Sequence, residues 1–223
     1  MTAKLFFQAI VKFISGVILI GLLLFLPAGT FAFFNGWLFI AILFIPMFIA
    51  GIIMMFKNPE LLRKRLNAKE EENEQKAVLV LSGIMFFAAF VAAGLNFRFK
   101  WLILPKWAVI AASVVFILAY VMYAEVLREN AYLSRTVEVQ ENQKVIDTGL
   151  YGIVRHPMYS ATLFLFLSMG IVLGSVFSFA ILLCYIPIIA LRMKNEEKVL
   201  SEGLDGYPEY KKRVKYKVIP FIW

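Results

Sequence analysis

Cysteine and histidine are nearly absent from this chain. One Cys (Cys184) and one His (His156) occur in 223 residues. A single Cys forms no internal disulfide. Lying in an apolar run, it reads as a small core residue. One Cys and one His also exclude a Cys/His zinc site, and no metal is expected. No G-x-G-x-x-G and no G-x-x-x-x-G-K-[ST] pattern occurs, which excludes the soluble Rossmann and P-loop designs. Charge is scarce as well, at 17%. Soluble domains carry about 25%.

What is present is apolar. Hydrophobic residues make up 61% of the chain, and mean hydropathy is +0.79. A water-soluble globule of this length cannot bury that fraction. An integral membrane protein is the class that remains. A spanning helix takes about 20 mostly apolar residues. Such runs occupy 5–26, with Lys12 as its sole charge, then 32–56, 77–97 and 106–127. The first resembles a signal peptide but lacks a small-residue cleavage site, so it reads as a retained span. The last run, 158–191, has 34 residues and would reach about 51 Å as one helix, against a hydrocarbon core of about 30 Å. Gly174-Ser175 at its middle suggests two short helices joined by a tight turn, with a single tilted helix as the alternative. The expected fold is all-α, with five to six transmembrane helices and a C-terminal helical hairpin. Residues 1–127 form a four-helix membrane region, and 128–223 a C-terminal region with a polar pocket.

Twenty of the 23 Lys and Arg residues fall on one side of this topology, and all 15 acidic residues fall on that side or at its boundary. Arg98, Lys100 and Lys106 are the exceptions. The positive-inside rule places the first side, and both termini, in the cytoplasm. The net charge of +8 follows from that rule and from attraction to anionic lipid. No readout motif accompanies the basic residues, so nucleic acid is not an expected partner. The loop 57–76, with Arg63-Lys64-Arg65 and Glu70-Glu71-Glu72, reads as a short interfacial helix. No internal repeat supports an inverted-repeat transporter.

The chemistry-bearing residues cluster in the last third. Thr136–Gln140 alternates like an extended piece, and Asp147-Thr148-Gly149 signals a turn. Arg155-His156-Pro157 stands where the fifth span begins. Pro suits the first helical turn, so Arg155 and His156 sit at a helix N-terminus, which favours anionic groups. Tyr159 shares the face of His156. After the sixth span come Arg192, Glu196 and Glu197. A hairpin brings both clusters to one end. The local alternatives are plainer: Arg192 and Glu196 as an i,i+4 pair, and Tyr207, Tyr210 and Trp223 as interface-belt aromatics. Gly170-x-x-x-Gly174 permits close helix contact.

The ordered set Gly149-x-Tyr151-x-x-Val154-Arg155-His156-Pro157-x-Tyr159, Gly170, Glu196-Glu197 and Gly206-Tyr207-x-x-Tyr210-x-x-x-Val214…Pro220-Phe221 resembles the isoprenylcysteine carboxyl methyltransferase family. Related phospholipid methyltransferases share the Arg-His-Pro and Glu-Glu parts. The resemblance covers about the last 95 residues. It departs at Leu150, where the family often has Pro, and at Ser160-Ala161, where a Gly is frequent. It implies a membrane methyltransferase that binds S-adenosyl-L-methionine between the C-terminal helices. His156, Tyr159 and Glu197 are then cofactor ligands, with Gln140, Tyr151 and Val154 lining the site. Arg155 and Arg192 are candidates to hold a substrate carboxylate. The implied partner is a hydrophobic or prenylated lipid-like molecule. Alternatives are a phospholipid amine N-methyltransferase, an NADPH-dependent intramembrane sterol-type reductase, and a non-enzymatic transporter or scaffold.

Overall fold

A computed structural model describes residues 3–66, 73–130, 132–133 and 139–223. Among them every regular element is helical. They are α1 (Ala3–Ala28), α2 (Phe34–Lys57), α3 (Pro59–Leu66), α4 (Asn73–Phe99), α5 (Lys106–Glu129), a 3-10 turn (Gly149–Gly152), α6 (Pro157–Val172), α7 (Val176–Leu182), α8 (Tyr185–Gly203) and α9 (Tyr207–Arg213). Helices α1, α2, α4 and α5, and α7 with α8 taken as one stretch, are long and apolar enough to cross a membrane. The 16-residue α6 runs beside them. The protein is an all-α integral membrane protein.

The exterior carries the apolar surface that water would not tolerate. Phe7, Leu26, Ile84, Val121 and many similar side chains are exposed. Such a girdle is compatible with lipid. One core nevertheless runs through the whole bundle. Phe39 of α2 meets Phe90 of α4 and Phe116 of α5 at centroid distances of 5.7 and 5.9 Å. Leu165 and Met169 of α6, Leu182 of α7 and Ile189 of α8 belong to the same buried cluster. Helix α5 lies along α6, and α4 lies against α1, α7 and α8.

The expected break at Gly174-Ser175 is a helical hairpin. Gly174 has φ 73°. Its N–H donates to the Ile171 carbonyl at 2.9 Å, and the Ser175 N–H donates to the Gly170 carbonyl at 2.9 Å. That is a Schellman closure. Ser175 then caps α7 by accepting from the Ser178 N–H at 3.1 Å. Gly170 is required by closeness. A Cβ there would lie 2.4 Å from the Phe179 backbone nitrogen. The return leg is not continuous, because α7 stops at Leu182 and α8 begins at Tyr185. Pro187 explains the interruption: its ring would clash with the carbonyl four residues earlier, and its missing N–H is harmless only in a first turn.

Several expectations need correction here. Cys184 sits at the α7–α8 interruption and is exposed, not a core residue. Tyr207 and Tyr210 are buried with Leu204 and Val214 rather than placed as belt aromatics. Trp223 packs partly against the core, and its carbonyl oxygen accepts the N–H groups of Lys217, Val218 and Ile219 at 2.9 to 3.1 Å. The helix within the 57–76 loop is α3, and the Lys12 ammonium donates to the Leu66 carbonyl at its end, 2.5 Å away. Glu70-Glu71-Glu72 and residues 136–138 of the extended piece lie outside the described residues.

Candidate functional site

Pro157 opens α6 with His156 as its N-cap residue. The residues just before the helix do not face open water. The Arg155 N–H donates to the Tyr216 carbonyl at 2.9 Å, and the His156 N–H to the Lys217 carbonyl at 2.8 Å. The Ser160 hydroxyl donates to the Val218 carbonyl at 2.6 Å. The segment after α9 is thus strapped across the mouth of α6. The strap supplies the carbonyl acceptors, and the N–H groups of Arg155 and His156 are spent on them.

Glu197 of α8 is the electrostatic centre of the strap. Its Oε1 accepts from Arg155 Nε at 2.8 Å and from His156 Nε2 at 3.2 Å. Its Oε2 faces the ammoniums of Lys211 at 3.2 Å and Lys217 at 3.6 Å. A carboxylate only accepts, so the His156 contact has its proton on Nε2. Arg155 Nη1 donates in turn to the carbonyls of Val214 and Lys215, at 2.7 and 2.8 Å. The side chains of Arg155, His156 and Glu197 are all 6% exposed or less. Removing any one leaves a buried charge or donor unpaired.

A second set of contacts lies one position round α8. Consecutive helical residues point about 100° apart, so Glu196 turns away from the strap. Tyr159 donates its hydroxyl hydrogen to Glu196 Oε2 at 2.6 Å and accepts from Arg192 Nε at 2.9 Å. The i,i+4 pair of the sequence is bridged by a tyrosine of the neighbouring helix. The His156 ring lies 5.7 Å from that of Tyr159.

These residues face a cavity at this end of the bundle. Its volume is about 90 Å³, and about 860 Å³ with the open space at its mouth counted. Arg155, His156, Tyr159, Arg192, Glu196 and Tyr207 line it, together with Asn130 and the 143–146 stretch. Tyr151 lines it too, held by Asn130 Nδ2 on its hydroxyl at 3.0 Å and by the Tyr210 hydroxyl on its carbonyl at 2.8 Å. The sequence therefore placed five of its candidates at one cavity. Among the described residues, Gln140, Val154 and Glu197 are not on its wall. Gln140 donates from Nε2 to the Tyr132 carbonyl at 2.6 Å, Val154 is buried beneath, and Glu197 faces the strap.

Three wall residues of the sequence pattern, Glu196, Tyr207 and Tyr210, carry no expected site role. Tyr210 holds the Tyr151 carbonyl. The Tyr207 hydroxyl is buried with no hydrogen-bond partner among the described residues. Burial pushes the Tyr207 phenol up, and the carboxylates of Glu197 and Glu196 push it further. It stays protonated, a donor without an acceptor. Buried polar groups are normally satisfied, so this hydroxyl stands out on the wall as a donor a ligand could engage. The donor set also suits a nucleoside bearing an amino acid. Arg192 offers charge to a carboxylate, Glu196 accepts from an ammonium or ribose hydroxyls, and tyrosine rings suit an adenine or a sulfonium.

Among the described residues, no cluster of His, Cys, Asp or Glu has the composition of a metal site. Among curated proteins no significant match to the chain is found. Residues 107–205, from the first turn of α5 to the turn that precedes α9, match the sequence model of the phospholipid methyltransferase family, which is what the site-bearing part of this chain is similar to.

Proposed function

We propose that this protein is a membrane methyltransferase that uses S-adenosyl-L-methionine to methylate a hydrophobic, lipid-like acceptor. The observation that carries the proposal is the cavity wall built by Tyr159, Arg192, Glu196 and the orphaned Tyr207 hydroxyl. The family match over residues 107–205 supports it. In this reading 128–223 holds the chemistry and 1–127 builds much of the surrounding membrane wall. The excess of basic residues at the site end supports a cytoplasmic position for the site and both termini.

When bound, S-adenosyl-L-methionine supplies a methyl group already activated as a sulfonium. The protein's share is to position, to exclude water and to manage any proton. His156, Tyr159, Tyr207 and Glu196 are the residues to hold the cofactor, with Tyr151 on the wall. Glu197, Gln140 and Val154 act from behind it, Glu197 by fixing His156 and Arg155. An ionised carboxylate acceptor, as in an isoprenylcysteine, needs no base, because its usual pKa is near 4. Arg192 is then the residue to orient it. Arg155 suits that role less, since its Nε and Nη1 already serve Glu197 and two carbonyls.

A second acceptor is favoured by one feature. Glu196 places a carboxylate on the cavity wall, where a protonated amine headgroup would find both a counter-charge and a base. The test is a labelled-methyl transfer assay on a lipid extract, with the labelled product identified as a carboxyl ester or an N-methylamine. Titration of S-adenosyl-L-methionine or its demethylated product into folded protein precedes it. Absence of binding refutes the methyltransferase reading, and binding of NADPH instead selects a reductase.

A further inference from the structure

The end of the bundle away from the candidate site holds a larger cavity, about 690 Å³, within the range of ligand pockets. It lies where α2 and α5 begin, where α4 ends, and beside the α6–α7 turn. Its walls are apolar, including Phe33, Leu38, Ile103 and Val109. Its polar groups are Asn35, Asn96, Lys100 and Lys106. Asn96 is satisfied, bonding the Leu102 and Gly174 carbonyls at 3.0 and 3.2 Å. Lys100 and Lys106 are exposed, and neither is in an ion pair among the described residues.

We propose that this cavity binds an anionic phospholipid of the adjoining leaflet, its phosphate between Lys100 and Lys106 and an acyl chain along the apolar wall. Charge is the first argument. The chain has no Asp or Glu between Glu74 and Glu125, between Asp147 and Glu196, or before Glu60. The segments that build this end thus bring cations with nothing to neutralise them. Arg98, the third cation here, lies beside Gly29 at the end of α1 and 5.5 Å from the Phe99 ring. Helix polarity is the second. Phe34 and Asn35 of α2, and Lys106 of α5, are first-turn residues on the cavity wall. Neither helix has a side-chain cap on its N-terminal N–H groups, so two positive dipole ends add to the ammoniums. Depth is the third. Trp37, Trp101 and Trp107 are exposed at this end, which sets it at headgroup level. Basic pockets between spanning helices at that level suit phospholipid headgroups. The site is separate from the candidate catalytic cavity by the full length of α6, about 24 Å, and stands independently of the methyltransferase reading.

The test is native mass spectrometry of the full chain, extracted from vesicles of equal phosphatidylglycerol and phosphatidylcholine. Wild type is expected to retain phosphatidylglycerol at least fivefold over phosphatidylcholine. Lys100→Asn with Lys106→Gln is expected to abolish the preference, while Lys212→Gln with Lys215→Gln at the other end leaves it intact. Asn is chosen at 100 because that residue has φ 53°, which Asn tolerates. Leu38→Trp narrows the apolar wall with both ammoniums present and is expected to lower total retained lipid. Equal retention of the two lipids by wild type, or an unchanged preference in the lysine variant, overturns the proposal. Displacement by inorganic phosphate as readily as by short-chain phosphatidylglycerol overturns it too, in favour of a free anion.

Discussion

At the α6–α8 end, buried Arg155 and His156 each lie within hydrogen-bonding distance of buried Glu197. At the opposite end the buried polar side chains among the described residues, Asn96, Ser175 and Ser178, are neutral, and the cations there are exposed. The first end is closed by charge, with two further ammoniums on Glu197 and a strap of carbonyls on Arg155. The second is closed by backbone, through the Schellman turn at Gly174 and the near-contact of Gly170 with Phe179. A buried ionic network is sensitive to the loss of any member, whereas a backbone closure is sensitive to added volume.

Glu197→Ala breaks that contrast most severely. It strands the Arg155 guanidinium in a buried position and is expected to destabilise the protein by about 3–5 kcal/mol, read as a fall in thermal unfolding temperature in detergent. The mirror change, Asn96→Ala, leaves neutral groups unpaired and is expected to cost about 1–3 kcal/mol. An Asn96 effect equal to that of Glu197 would dissolve the distinction between the ends. Gly170→Ala sharpens it from the steric side. The added methyl meets the backbone of α7, and a loss of about 1–3 kcal/mol is expected, whereas replacement of the exposed Lys212 by Ala leaves unfolding unchanged.

The remaining changes separate the strap from the cavity within one end. Glu196→Gln and Arg192→Ala are expected to lower methyl transfer roughly 10- to 100-fold, the worth of a hydrogen bond to a charged group, and to leave unfolding much closer to wild type than Glu197→Ala does. If Glu196→Gln destabilises as much as Glu197→Ala, both carboxylates are structural. The smallest effect is expected for Tyr207→Phe. Its hydroxyl has no partner to lose, so stability holds or rises slightly. Affinity for S-adenosyl-L-methionine is expected to fall by about tenfold or less, measured by calorimetric titration.

The sequence made the spans legible because apolar length is a strong signal, and it made the hairpin legible because Gly174-Ser175 interrupts that length. It also brought Arg155, His156, Arg192 and Glu197 to one end. It did not separate Glu196 from Glu197. Neighbours on a helix differ only in azimuth, and which one meets the cavity depends on how α8 is rotated against α6. Nor did it reveal Arg155 as a clamp. The partners of Arg155 are carbonyls of Val214 and Lys215, and any residue supplies a carbonyl. The orphaned hydroxyl of Tyr207 was hidden for the same reason, since a missing partner leaves no trace in residue types. The break before α8 was written in Pro187, although an apolar run through it reads as continuous.

The strap also orders events in time. Arg155 meets the carbonyls of Val214 and Lys215 across 59 and 60 positions of chain. A ribosome therefore delivers the arginine, the histidine and the whole α6–α8 hairpin to the membrane before their last partners exist. Until residues 210–218 have been made, the Arg155 fork lacks its carbonyls and the candidate site lacks one of its sides. The end that carries the candidate site thus forms after the α6–α8 hairpin has been made, when the strap is laid across α6.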